Sequence, residues 1–244
     1  MHLSITLATA ARVLRQLSHD HRTLALLFVV PCVLLGLLAW MYSGNPRVFD
    51  MFGAPFLGIF PFIVMFLVTS IATLRERSSG TLERLLTLPV AKLDILLGYA
   101  LAFGLLAIVQ SIIASSLAVY GLGLDIAGPQ WLLVVVALAD ALLGTALGLF
   151  TSAFARTEFQ AVQFMPAFIF PQLLLGGLVV PLDQLPGVLE AVARCLPLTY
   201  AIDAMQFLTI HSTPGGMLYR DIAAICGCAV AAVLLGAATL RRKS

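Results

Sequence analysis

Charge is scarce in this sequence. Of its 244 residues, 11% are Asp, Glu, Lys or Arg, against roughly 25% in a soluble domain. Apolar residues make up 61%, and the mean hydropathy is +1.03. Such a chain cannot clothe a water-facing surface, which excludes a soluble globular enzyme. Disorder is excluded too, because the formal net charge is only +2 and apolar content is high. Lysine is nearly missing: Lys92 and Lys243 are the two in the chain, and neither follows a glycine. No phosphate-cradling G-x-x-x-x-G-K-[ST] loop can be built from them. H-E-x-x-H and G-x-S-x-G are missing as well, so a metalloprotease or serine-hydrolase site is excluded. Four cysteines, three of them (Cys32, Cys226, Cys228) inside apolar runs, read as packing rather than a disulfide framework. His19-Asp20-His21 reads as a solvated interface rather than a metal site. The first 22 residues hold Arg12, Arg15, Asp20 and Arg22 and no apolar core suited to a cleavable leader. What remains is a polytopic membrane protein with no catalytic residues, metal or cofactor of its own and no nucleic-acid partner.

A membrane helix needs about 20 mostly apolar residues. The sequence predicts such spans over 23–42, 52–73, 95–119, 131–152, 164–180 and 222–240. Pro55 and Pro61 interrupt the second, and Pro166 and Pro171 the fifth. A tight outer loop is expected from Ser43 to Met51. Six spans put both termini on one side of the bilayer. That side carries eleven Arg and Lys, the other three, so both termini are expected in the cytoplasm. Two segments are neither span nor plain loop. Leu7, Ala10, Leu14 and Leu17 share one face of a helix over 3–17, which suits an interfacial helix on the cytoplasmic surface. Over 183–210, Leu185, Val188, Leu189, Val192 and Leu196 recur at helical spacing up to Pro197, and a 13-residue apolar run follows. That run is too short to cross, so two short outer helices, partly re-entrant, are expected. The predicted fold is all-α: one transmembrane domain over 1–244.

The cytoplasmic segment after the second span is the most informative. Gly80 can end one helix or cap the next. Residues 81–88 make two helical turns stopped by Pro89, with Leu82, Leu85 and Leu86 on one face and Glu83, Arg84 and Thr87 on others. A helix this short is marginal alone in water and needs a partner. That partner is either the membrane surface or a soluble protein with a groove.

The pattern Arg75-Glu76-Arg77-x-x-Gly80-Thr81-Leu82-Glu83-x-Leu85-x-x-x-Pro89 resembles the cytoplasmic signature of type-2 exporter permeases of ATP-binding cassette transporters. The outer stretch Val180-Pro181-Leu182-Asp183-Gln184-Leu185-Pro186, followed by Leu196-Pro197-Leu198-Thr199-Tyr200-Ala201, is similar to that of the drug-exporter branch, including daunorubicin-resistance permeases. The resemblance implies that Arg75, Glu76, Arg77, Gly80, Thr81, Leu82, Glu83, Arg84, Leu85 and Leu86 form or flank a coupling helix seated on a nucleotide-binding subunit. It implies two such subunits, which bind ATP and Mg, and a second permease, identical or sister. It also implies a plasma- or inner-membrane location and export of a drug-like or lipid compound. Export of polysaccharide or lipid-linked glycan is the alternative within the family.

Polar groups inside spans carry the rest. Asp140 is the one carboxylate near the middle of a span, where a charge costs about 2.5–3.5 kcal/mol on insertion scales. Gln110 lies at similar depth in the antiparallel third span, within prospective hydrogen-bonding reach. Gly144 and Gly148 follow Asp140 at four-residue steps, and such a small-residue face turns Asp140 toward protein. Asp140 can be a buried structural group, a lining of the substrate path, or a proton relay, the last being the basis of a proton-coupled secondary transporter. Met165, Phe168 and Gln172, beside Pro166 and Pro171, join Gln110 and Asp140 as candidate path residues, because aromatic and Met side chains suit bulky apolar cargo.

Overall fold

The computed structural model describes residues 3–79 and 92–239, and among these every regular element is helical. Helix α1 (Leu3–His19) is followed at once by α2 (His21–Met41). Asp20 sets that corner: its carboxylate accepts from the Thr23 amide at 3.1 Å and the Thr23 hydroxyl at 2.7 Å, capping α2. The outer loop is shorter than expected, because Pro46 already stands in the first turn of α3 (Pro46–Ser78), a position that suits its fixed φ. Over 33 residues α3 is about 50 Å long. Pro55 and Pro61 do not interrupt it. Both are buried among neighbouring helices, the setting in which a proline's missing donor is tolerated. The helix also runs past residue 73, so Arg75, Glu76 and Arg77 are its last helical turn rather than a loop.

Helix α4 (Lys92–Ser116) passes into one π-helical turn, Leu117–Gly121, and α5 (Gln130–Ser152) returns. Helix α6 (Glu158–Leu175) is capped by Thr157, which accepts from the Gln160 amide. A 3₁₀ turn (Leu182–Gln184), α7 (Gly187–Ala193), α8 (Pro197–Ile210) and α9 (Gly216–Thr239) follow. Among the described residues, five helices are long and apolar enough to cross a membrane: His21–Met41, Pro46–Ser78, Asp94–Gly121, Gln130–Ser152 and Gly216–Thr239. The expected fifth span, 164–180, takes another form. Its helix begins earlier, with Glu158, Gln160 and Gln163 in the opening turns, and ends at Leu175. Gly177, at φ +88°, then turns the chain in a conformation that a side chain would disfavour. The first outer helix likewise stops at Ala193, and Pro197 opens α8 instead of ending α7, serving as a first-turn proline.

Lipid tails are as apolar as leucine, so close packing rather than water exclusion holds such a bundle together. Helices α3 and α5 form its centre, mostly buried, while α2 and α9 are peripheral. The central seam is set by Gly144 and Gly148. A Cβ at either would lie 2.4 Å from the Phe62 carbonyl oxygen or 2.6 Å from that of Phe66. Helix α1 packs on α4 in the same way, since a Cβ on Gly98 would meet Thr9 at 2.6 Å. This contact chooses the buried face of α1: Thr6, Thr9, Ala10, Val13 and Leu17 point inward. Leu7, expected on that face, is exposed together with Leu3. Small residues permit the approach to Gly98, and larger leucines do not.

Candidate functional site: the charged end of the bundle

The last turn of α3 meets four other elements, and no two of its three charged residues share one. Glu76 faces α1 and α4. Its two carboxylate oxygens accept from the Arg12 guanidinium at 3.0 and 2.9 Å, a bidentate geometry, and the Tyr99 hydroxyl donates to it as well. Arg12 also donates to the Tyr99 hydroxyl at 3.1 Å and lies over the Tyr99 ring, 5.9 Å from its centroid. Arg75 reaches α6, donating to both oxygens of Glu158 at 2.8 and 3.1 Å, with Asp20 at 4.0 Å on its other side. The hydrogen bond from Arg75 holds the Glu158 carboxyl below its ordinary value. The Thr23 hydroxyl, more than the Arg75 charge, does the same for Asp20. Arg77 donates to the Ser152 carbonyl at the end of α5, where an unsatisfied C-terminal carbonyl attracts a cation. The end of α3 is thereby fixed to α1, α4, α5 and α6 just before residues 80–91. Gly80, Thr81, Leu82, Glu83, Arg84, Leu85 and Leu86 lie outside the described residues.

The intramembrane candidates fall in separate places. Gln110 donates to the Leu27 carbonyl at 2.8 Å, tying α4 to α2. It is not bonded to Asp140, because α4 turns Gln110 toward α2 whereas α5 turns Asp140 toward α3. Asp140 is fully buried, and neither carboxylate oxygen has a hydrogen-bond partner among the described residues. It sits against Gly58, where a Cβ would lie 3.2 Å from Oδ2 and 3.4 Å from Met205 of α8. The small-residue face of α5 does turn Asp140 into the protein, as its spacing indicates. Gln172 is buried and bridges two elements: its amide donates to the Phe168 carbonyl at 2.8 Å and its oxygen accepts from the Leu198 amide at 3.1 Å. That bond satisfies one of the orphan donors at the start of α8. Met165 is half-buried, and Phe168 is part-exposed with its ring 6.3 Å from that of Phe66.

At the opposite end, Leu182, Arg194, Thr199, Asp203 and Arg220 line a cavity of about 220 Å³. Burial, helped by the neighbouring charge of Asp221, pushes the Asp203 carboxyl up to about 6. Asp221 is itself buried, with one oxygen held by Arg220 at 3.0 Å.

Sequence reasoning did not single out Arg12, Tyr99 or Glu158. Each lies 23 or more residues from its partner on α3, and no local pattern announces such a pairing. The one available signal was that α1 carries an arginine on a flank of its packed face.

Comparison with known proteins gives a consistent answer. Residues 6–209 match the model of a family described as ABC-2 type transporter. The chain is 29% identical over 181 residues to "ABC transporter G family member 20" of Dictyostelium discoideum, covering 73% of this chain and 24% of that one. It is 27% identical over 143 residues to "Probable multidrug ABC transporter permease YbhS" of Escherichia coli K12, covering 58% of this chain and 38% of that one. It is 32% identical over 176 residues to "Nodulation protein J" of Rhizobium meliloti, covering 69% of this chain and 64% of that one. The chain thus spans between about a quarter and two thirds of the length of these curated relatives. With a family match over most of its length and five helices fit to cross a bilayer, the chain belongs to the ABC-2 type transporter family of membrane permeases.

Proposed function

We propose that this chain is the membrane-spanning permease subunit of an ATP-driven exporter. It forms the path for a hydrophobic or amphiphilic compound and leaves ATP hydrolysis to separate subunits. In this reading six segments cross, with α6 as the short fifth, and both termini face the cytoplasm. Two ATP-binding subunits engage a pair of permeases, identical or sister, through the helix expected at 81–88. Leu82, Leu85 and Leu86 supply contact area and Glu83 and Arg84 fix register. The similarity to a protein named as a probable multidrug permease supports a drug-like or lipid cargo.

The observation that carries the reading is the clamped end of α3. One uninterrupted 33-residue helix leads to the turn held by Arg75, Glu76 and Arg77, directly before residues 81–88 in sequence. A push received at 81–88 would then move α3, and with it the glycine-packed α5, instead of being absorbed by a loose loop. Asp140, buried inside the protomer between α5, α3 and α8, is a structural group in this scheme.

The test is reconstitution of the full chain with its ATP-binding subunit in proteoliposomes. Leu85→Asp is expected to abolish cargo transport and cargo-stimulated ATP hydrolysis, while Asp140→Asn retains both. Transport by the chain alone, without any nucleotide-consuming companion, would overturn the proposal. So would the reverse pattern, in which Asp140→Asn is inactive and Leu85→Asp unimpaired, and that result would favour proton coupling.

A further inference from the structure

A cleft of about 330 Å³ opens between the α1–α2 corner and the facing sides of α3 and α4. It is of the size that small-molecule sites begin at, about 300 Å³. Its walls are apolar: Leu26 of α2, Leu67 and Ile71 of α3, and Phe103 of α4. From Leu67 to the charged mouth at Arg75 the cleft follows α3 for eight residues, about 12 Å. The result is a slot for a hydrocarbon chain, closed by polar side chains at one end only.

The polar mouth can be accounted for group by group. Asp20 is engaged by Thr23, and Glu76 by Arg12 and Tyr99. Arg75 is held by Glu158. Two groups are left over. Arg22 lines the mouth and is exposed, and its guanidinium has no hydrogen bond or ion pair among the described residues. Gln16 accepts from Arg12 through its oxygen, and its amide nitrogen has no acceptor there. Both remaining groups are donors, and one is a cation. The complement is an anionic acceptor carried on an apolar tail.

We propose that this cleft is a binding site for one anionic glycerophospholipid, with an acyl chain between Leu26, Leu67, Ile71 and Phe103 and the phosphate on Arg22 and the Gln16 amide. The walls come from four helices of a single chain, so the site is a slot within the protomer and distinct from the lipid that bathes the outside of the bundle. A lipid seated there joins α1 and α2 to α3 just inside the clamped turn. The inference rests on the reading of α1 as an interfacial helix. It needs neither the ATP-binding subunits nor a particular cargo.

The experiment is native mass spectrometry of the full chain in detergent, delipidated and titrated with phosphatidylglycerol or phosphatidylcholine of identical acyl chains. The unmodified chain is expected to retain one phosphatidylglycerol at least several-fold more tightly than later additions and than phosphatidylcholine. Arg22→Gln should bring phosphatidylglycerol down to the phosphatidylcholine level. Ala72 lines the cleft beside Ile71, and Ala72→Trp, which fills the slot, should remove the tight site for both lipids. A graded series with no tight first lipid, an unchanged headgroup preference in Arg22→Gln, or an intact tight site in a folded Ala72→Trp would each overturn the proposal. Arg22 is solvent-exposed, so that variant carries the test even where the tryptophan disturbs folding. Transport activity is not read in any arm, and loss of the lipid site would leave the permease reading standing.

Discussion

Glu76 and Arg75 are adjacent in sequence and both ion-paired, yet their surroundings give them unequal weight. The Arg12–Glu76 pair is largely sheltered, with side-chain exposures of 31% and 13%, and Tyr99 shares it. Glu76→Leu leaves Arg12 and Tyr99 facing a group that cannot accept, and should cost about 1–3 kcal/mol. Arg75 and Glu158 are 55% and 51% exposed, and Arg75→Ala should cost under about 1 kcal/mol. Thermal melts of the two variants in one detergent should therefore differ clearly, and equal shifts would contradict the burial argument. Asp203 gives the molecule a pH dependence. Its carboxyl rises from an ordinary 3.8 to about 6, so between these values the folded state binds more protons than the unfolded chain. Stability contributed by this group falls as pH rises through that window and stays lower above it. Asp203→Asn should raise the melting temperature at pH 7.5 and leave it unchanged near pH 4. A pH-independent difference would show that burial and the charge of Asp221 do not act on it as described.

At the scale of elements, the α3–α5 seam is decided by backbone approach. Gly144→Val would place a side chain 2.4 Å from the Phe62 carbonyl oxygen, a contact that only separation of the helices can relieve. It is expected to abolish accumulation of folded protein. Gly36→Ala is the control, because nothing lies within 4 Å of its prospective Cβ. In a helix that change is expected to be neutral or stabilising by up to about 1 kcal/mol. Size-exclusion profiles of the two variants provide the measurement. The seam was legible in sequence because Asp140, Gly144 and Gly148 share a face at four-residue steps. The continuity of α3 was not legible, since Pro55 and Pro61 read locally as breaks and are accommodated only through burial against neighbouring helices.

At the scale of the whole molecule, orientation follows from where positive charge falls along the chain. Cys195, between α7 and α8, is exposed, and in the proposed orientation it lies on the outer face. A membrane-impermeant maleimide applied to intact cells is expected to label the chain, and Cys195→Ser to remove the label. Labelling only after the membrane is opened would invert the topology and move the α3 clamp away from the cytosol. The five helices long enough to cross leave α6 as the element on which the count turns. Its 18 residues, about 27 Å, carry polar opening turns that composition alone did not separate from the apolar run after them.

Composition by itself determined the solvent, the helical class and the spans of three helices to within a few residues, because burying a backbone in lipid leaves a chain few choices and hydropathy reports them directly. It also marked the segment that follows α3 and the inward turn of Asp140. Tertiary structure alone decided which charges meet. Gln110 lies at the depth of Asp140 but points to another helix, and Arg12 reaches Glu76 across 64 residues. Periodicity fixes a side chain's face on its own helix. The rotation of one helix against the next is set by where glycines and threonines let two backbones touch, and that is a property of pairs of helices.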